Sequence, residues 1–209
     1  MNSEIAQQLL DIGAVVLSPN KPFTWTSGMK SPIYCDNRLT LSYPHIRRKI
    51  TQAFVEIIRE KFPEAEVIAG TATAGIPHAA WVSERMNLPM AYVRGNAKSH
   101  GKKKQIEGLI QAGQKAVVVE DLISTGGSSI TAAEVLRREG ADVLGVAAIF
   151  TYELDKADRA FEEAELPIYT ITDFSTLLQM AHLSDEERAR LKEWYKQPDS
   201  EEWLYAMKG

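Results

Sequence analysis

The sequence predicts an α/β fold in which a mostly parallel five-stranded sheet is flanked by helices, with a small hood made by the amino-terminal residues. Three observations carry this. Five short, nearly continuous apolar runs fall between residues 67 and 171, as strands buried on both faces require. Stretches with apolar residues at helical spacing separate most of the runs, the alternation that builds parallel strands joined by crossover helices. Before residue 43 the pattern changes, because Pro22, Gly28 and Pro32 cut a text of aromatic and β-branched residues into pieces too short for core strands.

In order, Ser3 reads as the cap of a helix over residues 3–12, with Ile5, Leu9, Leu10 and Ile12 at roughly helical spacing and Gly13 as its stop. Short strands and a tight turn follow in 23–37, so residues 1–42 form the hood segment and 43–209 the core, with the carboxy-terminal helices packing near the hood. A helix over 43–61 carries Ile46, Ile50, Phe54, Ile57 and Ile58 on one face. The strands are VIAG (67–70), MAYVR (90–94), KAVVVE (115–120), VLGVAAIF (143–150) and PIYTI (167–171). A helix spans 128–139 with Ile130, Ala133 and Leu136 inward, a capped helix begins at Ser184, and a shorter one lies near Glu201. Trp25 reads as a core or hood aromatic, with stacking on a flat base as the alternative, His45 and His78 as packed or surface helix residues, Trp81, Trp194 and Trp203 as packing residues, and Cys35 as a small apolar side chain near the site.

One interval interrupts the alternation. Residues 95–108, GNAKSHGKKKQIEG, hold three glycines, four lysines, a histidine and one aliphatic residue, Ile106, which cannot cover a sheet. A long exposed loop is expected there, and such loops inside compact domains are usually functional.

Composition excludes several classes. With 209 residues, 44% hydrophobic and 25% charged, the chain can bury one substantial core. A formal charge of −4 gives no general attraction to nucleic acid. The single cysteine rules out an intrachain disulfide and suits a reducing compartment, so a cytoplasmic protein with no membrane partner is expected. There is no G-x-x-x-x-G-K-[ST] and no G-x-G-x-x-G, which removes P-loop nucleotidases and dinucleotide dehydrogenases.

The chemistry concentrates in VVVEDLISTGGSS, residues 117–129. A β-branched run ends in two acids, and a Gly-containing turn leads into a helix, so these groups sit at the carboxyl end of a parallel strand, where ligands of α/β sheets bind. Backbone N–H groups from Ser124 through Thr125, Gly126 and Gly127 to Ser128 can curl round a phosphate, aided by the helix amino terminus. The carboxylates of Glu120 and Asp121 would repel that phosphate and therefore face donors, for which vicinal sugar hydroxyls are suited. A sugar 5-phosphate satisfies both halves.

This stretch resembles the phosphoribosyl-pyrophosphate signature of the type I phosphoribosyltransferases. FTWTSGMKSPIYCDNR (23–38), GTATAGIPHAA (70–80) and RGNAKSHG (94–101) are similar to the amino-terminal segment, the pyrophosphate loop and the mobile catalytic loop of orotate phosphoribosyltransferases, in matching order. The resemblance implies a type I phosphoribosyltransferase fold. It implies transfer of ribose 5-phosphate from 5-phosphoribosyl 1-pyrophosphate (PRPP) to orotate, giving orotidine 5-monophosphate and pyrophosphate in pyrimidine synthesis. It also implies magnesium held mainly through the substrate, and a homodimer whose loop 95–108 reaches the neighbouring active site.

Carried onto this chain, it makes Arg94, Lys98 and His100 catalytic, and Glu120 to Ser128, including Leu122 and Ile123, the PRPP site. Thr71, Ala72 and Thr73 line the pyrophosphate site, and Ser124 lies near orotate. The chain departs from many relatives in having Thr26, Ala74 and Gly95 where they carry cations, and Thr151 and Tyr152 where some place an arginine for the orotate carboxylate. Arg38 or Lys30 is expected to supply that charge. A regulator that binds nucleic acid on the same fold has no use for the Arg94, Lys98 and His100 loop, and purine-base transfer fits FTWTSG…SPIY poorly.

Overall fold

The computed structural model describes residues 2–25, 28–95 and 105–204. Helix α1 (Asn2–Asp11) leads into strand β1 (Val15–Leu17), and β2 (Phe23–Thr24), β3 (Lys30–Ser31) and β4 (Ile33–Cys35) follow. These make two small antiparallel ladders, β1 with β4 and β2 with β3. A 3-10 turn (Asn37–Ser42) joins them to α2 (Pro44–Lys61). The core then runs β5 (Val67–Thr71), α3 (Gly75–Met86), β6 (Met90–Val93), β7 (Ile106–Glu107), β8 (Lys115–Ile123), α4 (Gly127–Arg138), β9 (Asp142–Thr151), α5 (Asp155–Glu163) and β10 (Ile168–Asp173). Helices α6 (Phe174–Met180) and α7 (Asp185–Lys196) and a second 3-10 turn (Glu202–Leu204) complete it.

All five apolar runs are strands of one sheet, but among the described residues the sheet has six, in the order β10-β9-β8-β5-β6-β7. The additional strand is Ile106–Glu107, expected in the loop; it pairs antiparallel with β6 through Val93↔Ile106 and Tyr92↔Glu107. Two residues are too few to show an alternating pattern, so only the pairing makes them a strand. Gly108 makes the approach possible, since it has φ +100° and a Cβ there would lie 2.9 Å from the Met90 carbonyl oxygen.

Side chains of β8 alternate between the sheet faces, as a two-residue period demands. Val117 and Val119 join a cluster with Ile5, Leu9, Phe54, Phe174 and Trp194, whereas Ala116 and Val118 join one with Leu136 of α4 and Phe161 of α5. The α2 stripe behaves as its spacing requires, with Ile46, Ile50, Phe54 and Ile58 buried and Ile57 packed at the margin.

Three expectations change in detail. The first helix begins at Asn2 and contains Ser3 rather than being capped by it. The segment near Glu201 is a 3-10 turn, not an α-helix. Strand β8 continues through Ile123, so the two acids are strand residues paired toward β9, with Glu120 opposite Ala148. Ser184 does cap its helix, in a reciprocal capping box with Glu187.

Candidate active site

The order of β8, β5 and β6 brings three predicted groups to one edge of the sheet. Thr71 ends β5 beside Val93, and Arg94 follows immediately, while β5 flanks β8 as far as Gly70↔Val119. Glu120, Asp121 and the turn to α4 therefore extend beyond β5 at the carboxyl edge.

Glu120 is 5% exposed. Its Oε1 accepts from the Asp121 N–H at 3.1 Å, and its Oε2 accepts from the Ser128 and Ser129 hydroxyls at 2.9 and 3.2 Å. Burial, and then the adjacent Asp121 charge, pushes its carboxyl up to about 8. Burial also raises Asp121, against hydrogen bonds that favour its ionised form. Ser128, expected on a phosphate, thus has its hydroxyl on Glu120, which leaves its backbone N–H as the group available to an anion. Gly126 caps α4 with φ +80°, and a Cβ there would meet the Phe161 ring at 2.7 Å. Only glycine fits this corner, and the first N–H groups of α4 have no carbonyl partner within the helix.

At the end of β5, Thr71 is buried with its hydroxyl unpartnered, Ala72 is half-buried and Thr73 is exposed, and the Ala72–Thr73 peptide is cis. Gly75 lets α3 sit on β8, since a Cβ there would come within 2.4 Å of the Val119 carbonyl oxygen. At the end of β6, the Arg94 guanidinium lies 3.5 Å from the Glu107 carboxylate, and its backbone N–H donates to the Gln105 carbonyl at 2.8 Å. Both ends of the predicted loop are therefore anchored at the sheet edge. Lys98 and His100 lie outside the described residues, as does Thr26.

Beside this edge opens a cleft of about 880 Å³. It is lined by Leu122 of β8 and Ser124 and Thr125 just beyond it, by Trp25, Lys30 and Tyr34 of the amino-terminal segment, by Tyr152 and Lys156, and by residues 198–201. Trp25 is fixed by its indole N–H on the Ile33 carbonyl at 3.1 Å and packs on Tyr152 with ring centroids 5.0 Å apart. Cys35 also lines the cleft, where burial, and then the charges of Asp121 and Asp36, raise its thiol well above its ordinary value. The two expected carboxylate partners differ in placement. Lys30 lines the cleft with its ammonium group 2.7 Å from the Thr24 hydroxyl, whereas Arg38 is 62% exposed and clasped by Asp36 at 2.6 and 2.9 Å.

Lys156 and Asn37 have no role predicted from the sequence, and Tyr152 is expected only as a departure from the relatives. Asn37 is buried and donates through Nδ2 to the Asp121 carbonyl at 2.7 Å. Its signal was a polar residue inside CDNR, which nothing local distinguishes from an ordinary turn asparagine. His78 is buried between Phe54 and Trp81, with its pKa lowered to about 4 by burial. It is the packed histidine expected.

The model of the phosphoribosyl transferase domain matches residues 40–179. Orotate phosphoribosyltransferases of Halalkalibacterium halodurans and Bacillus cytotoxicus are 58% and 59% identical to the chain, covering 98% and 99% of it and 99% and 100% of those proteins. Among solved structures, orotate phosphoribosyltransferase from Aeropyrum pernix aligns with a TM-score of 0.75 and 28% identity over 84% of this chain and 96% of that one. Leishmania donovani UMP synthase aligns at 0.80 and 28% identity over 94% of this chain and 42% of that one.

Proposed function

Because the chain belongs to the orotate phosphoribosyltransferase family and carries the reaction of that family, from PRPP and orotate to orotidine 5-monophosphate and pyrophosphate, we propose a division of the cleft between donor and acceptor. The observation that carries it is the corner of β8 and α4, where two buried carboxylates and a glycine-capped helix amino terminus stand side by side. Backbone N–H groups of residues 124–128 hold the 5-phosphate, and Glu120 and Asp121 take the ribose hydroxyls. Thr71, Ala72 and Thr73 receive the pyrophosphate. Orotate lies in the cleft beside Ser124 and under Trp25. Of the two cations proposed for its carboxylate, Lys30 already lines that cleft, and Arg38 requires release from Asp36.

Breaking the C1–oxygen bond leaves an oxocarbenium-like ribose and loads negative charge onto pyrophosphate, which cations stabilise best where water is excluded. Arg94, Lys98 and His100 supply those cations, and protonated His100 can donate to the departing oxygen. Residues 95–108 reach the active site of a second copy, so the working unit is a homodimer. Residues 1–42 act as the hood over the core of 43–209, and the cytoplasm is the proposed compartment. Among the described residues no helix is long and apolar enough to cross a membrane.

Magnesium suits this donor set. Among the described residues no three or more His, Cys, Asp or Glu side chains come together as a metal cage, which fits an ion held mainly through the phosphates of the substrate, with the hard oxygens of Glu120 and Asp121 near by. The ion neutralises substrate phosphate charge when bound. Mixing protein, magnesium, PRPP and orotate and following the loss of orotate absorbance tests the whole reading. Turnover is expected with orotate, and turnover with a purine base but not orotate overturns the acceptor.

A further inference from the structure

Asn37 is a residue of the hood whose side chain ends at the sugar-binding strand. It is 0% exposed, and its Nδ2 donates to the Asp121 carbonyl at 2.7 Å. That carbonyl lies past the point where β5 flanks β8, since the β5 ladder stops at Val119. The hood therefore provides a polar partner for the sheet strand at the position that carries an acid. The surrounding turn is stiff: the Asp36 carboxylate accepts from the Arg38 backbone N–H and guanidinium, and the Thr40 hydroxyl donates to the Asn37 carbonyl at 2.6 Å.

Asn37 Oδ1 is buried and has no hydrogen-bond partner. An unpaired buried acceptor is destabilising, so stability alone favours an apolar side chain at such a position. Breaches of this kind concentrate where function requires the group.

We propose that Asn37 is a positioning residue for PRPP: by fixing the peptide that follows Asp121 it sets the direction of the Asp121 carboxylate, and so couples the seating of the hood to the grip on the ribose. The effect falls on the donor substrate and not on orotate, because the amide bonds the Asp121 peptide, whereas the residues proposed around orotate, Trp25, Lys30 and Ser124, line the cleft and Asn37 does not join them. The inference rests on the reading of Asp121 as a ribose ligand.

Steady-state kinetics on Asn37→Ala, Asn37→Leu, Thr40→Val and Asp121→Asn test it. Asn37→Leu keeps the number and branching of side-chain heavy atoms while removing both the donor and the unpaired acceptor, and the melting temperatures of both Asn37 variants separate a lost contact from a lost fold. Both Asn37 variants are expected to raise the KM for PRPP about tenfold or more, equivalent to losing one hydrogen bond at the site, with the KM for orotate changed less than about twofold. Thr40→Val, which removes a bond inside the same turn, is expected to lower the melting temperature and leave the KM for PRPP in place. Equal changes for both substrates, or an unchanged KM for PRPP in folded Asn37→Leu, overturn the role of Asn37. If Asp121→Asn leaves PRPP binding unaffected, the ribose assignment itself fails. A large Asp121→Asn effect beside silent Asn37 variants sinks only the inference.

Discussion

Glu120 has both oxygens engaged inside the protein, one on a backbone N–H and one on two serine hydroxyls, and its carboxyl is pushed up to about 8. A ribose hydroxyl is accepted best when the group is ionised, so PRPP affinity is expected to rise with pH through about 8 and the rise to be shallower in Glu120→Gln; KM for PRPP measured across that range checks this. The same shift acts on stability. The folded state holds a proton that the unfolded chain has released between about 4.5 and 8, so Glu120 makes the protein less stable as pH rises through that window, and Glu120→Gln removes the slope. His78 has the opposite sign. Its folded value of about 4 lies below the ordinary 6.5, so its contribution is intact above about 6.5 and declines as pH falls toward 4. Urea midpoints across pH for His78→Phe are expected to lose that acid-side decline. Residue types at this scale were legible for the Glu120–Ser128 signature, whereas the role of Asn37 depends on a partner 84 residues away.

The elements that position the site depend on close backbone approach and on caps. Gly75→Ala would force a Cβ to within 2.4 Å of the Val119 carbonyl and displace α3 from β8. A loss of about 1–3 kcal/mol in urea unfolding is expected, together with weaker pyrophosphate inhibition, because α3 begins just after Thr73. Ser184→Ala removes the capping box of α7 and is expected to destabilise by about 1 kcal/mol, read as a lower melting temperature. Helix α7 bears on the cleft through Trp194, whose ring meets those of Trp25 and Tyr152. The sequence showed the Ser184 cap plainly, since capping chemistry is local. It did not show β7, because two residues have no periodicity and Gly108 acts only against Met90 and Ala91 across the ladder.

For the whole molecule, the amino-terminal segment, the sheet edge and the carboxy-terminal helix share one apolar cluster in which Ile5, Leu9, Ile33, Tyr152 and Trp194 are packed together with Phe54 and Ile149. The cleft is therefore assembled from both ends of the chain. If loops of two copies exchange, mixing Lys98→Ala with Asp121→Asn is expected to restore about a quarter of wild-type activity, because half of randomly paired dimers have one intact site of two. Recovery absent after subunit exchange would place the loop on its own subunit's site. By itself the sequence determined the α/β alternation, the five parallel strands and the acid-and-glycine corner, because burial periodicity and turn chemistry are properties of neighbouring residues. Only the tertiary structure decided that β7 closes the loop onto the sheet, that Lys30 and not Arg38 lines the cleft, and that residues 198–201 form its far wall. These are contacts between segments distant along the chain, and their geometry is set by how the packed layers meet.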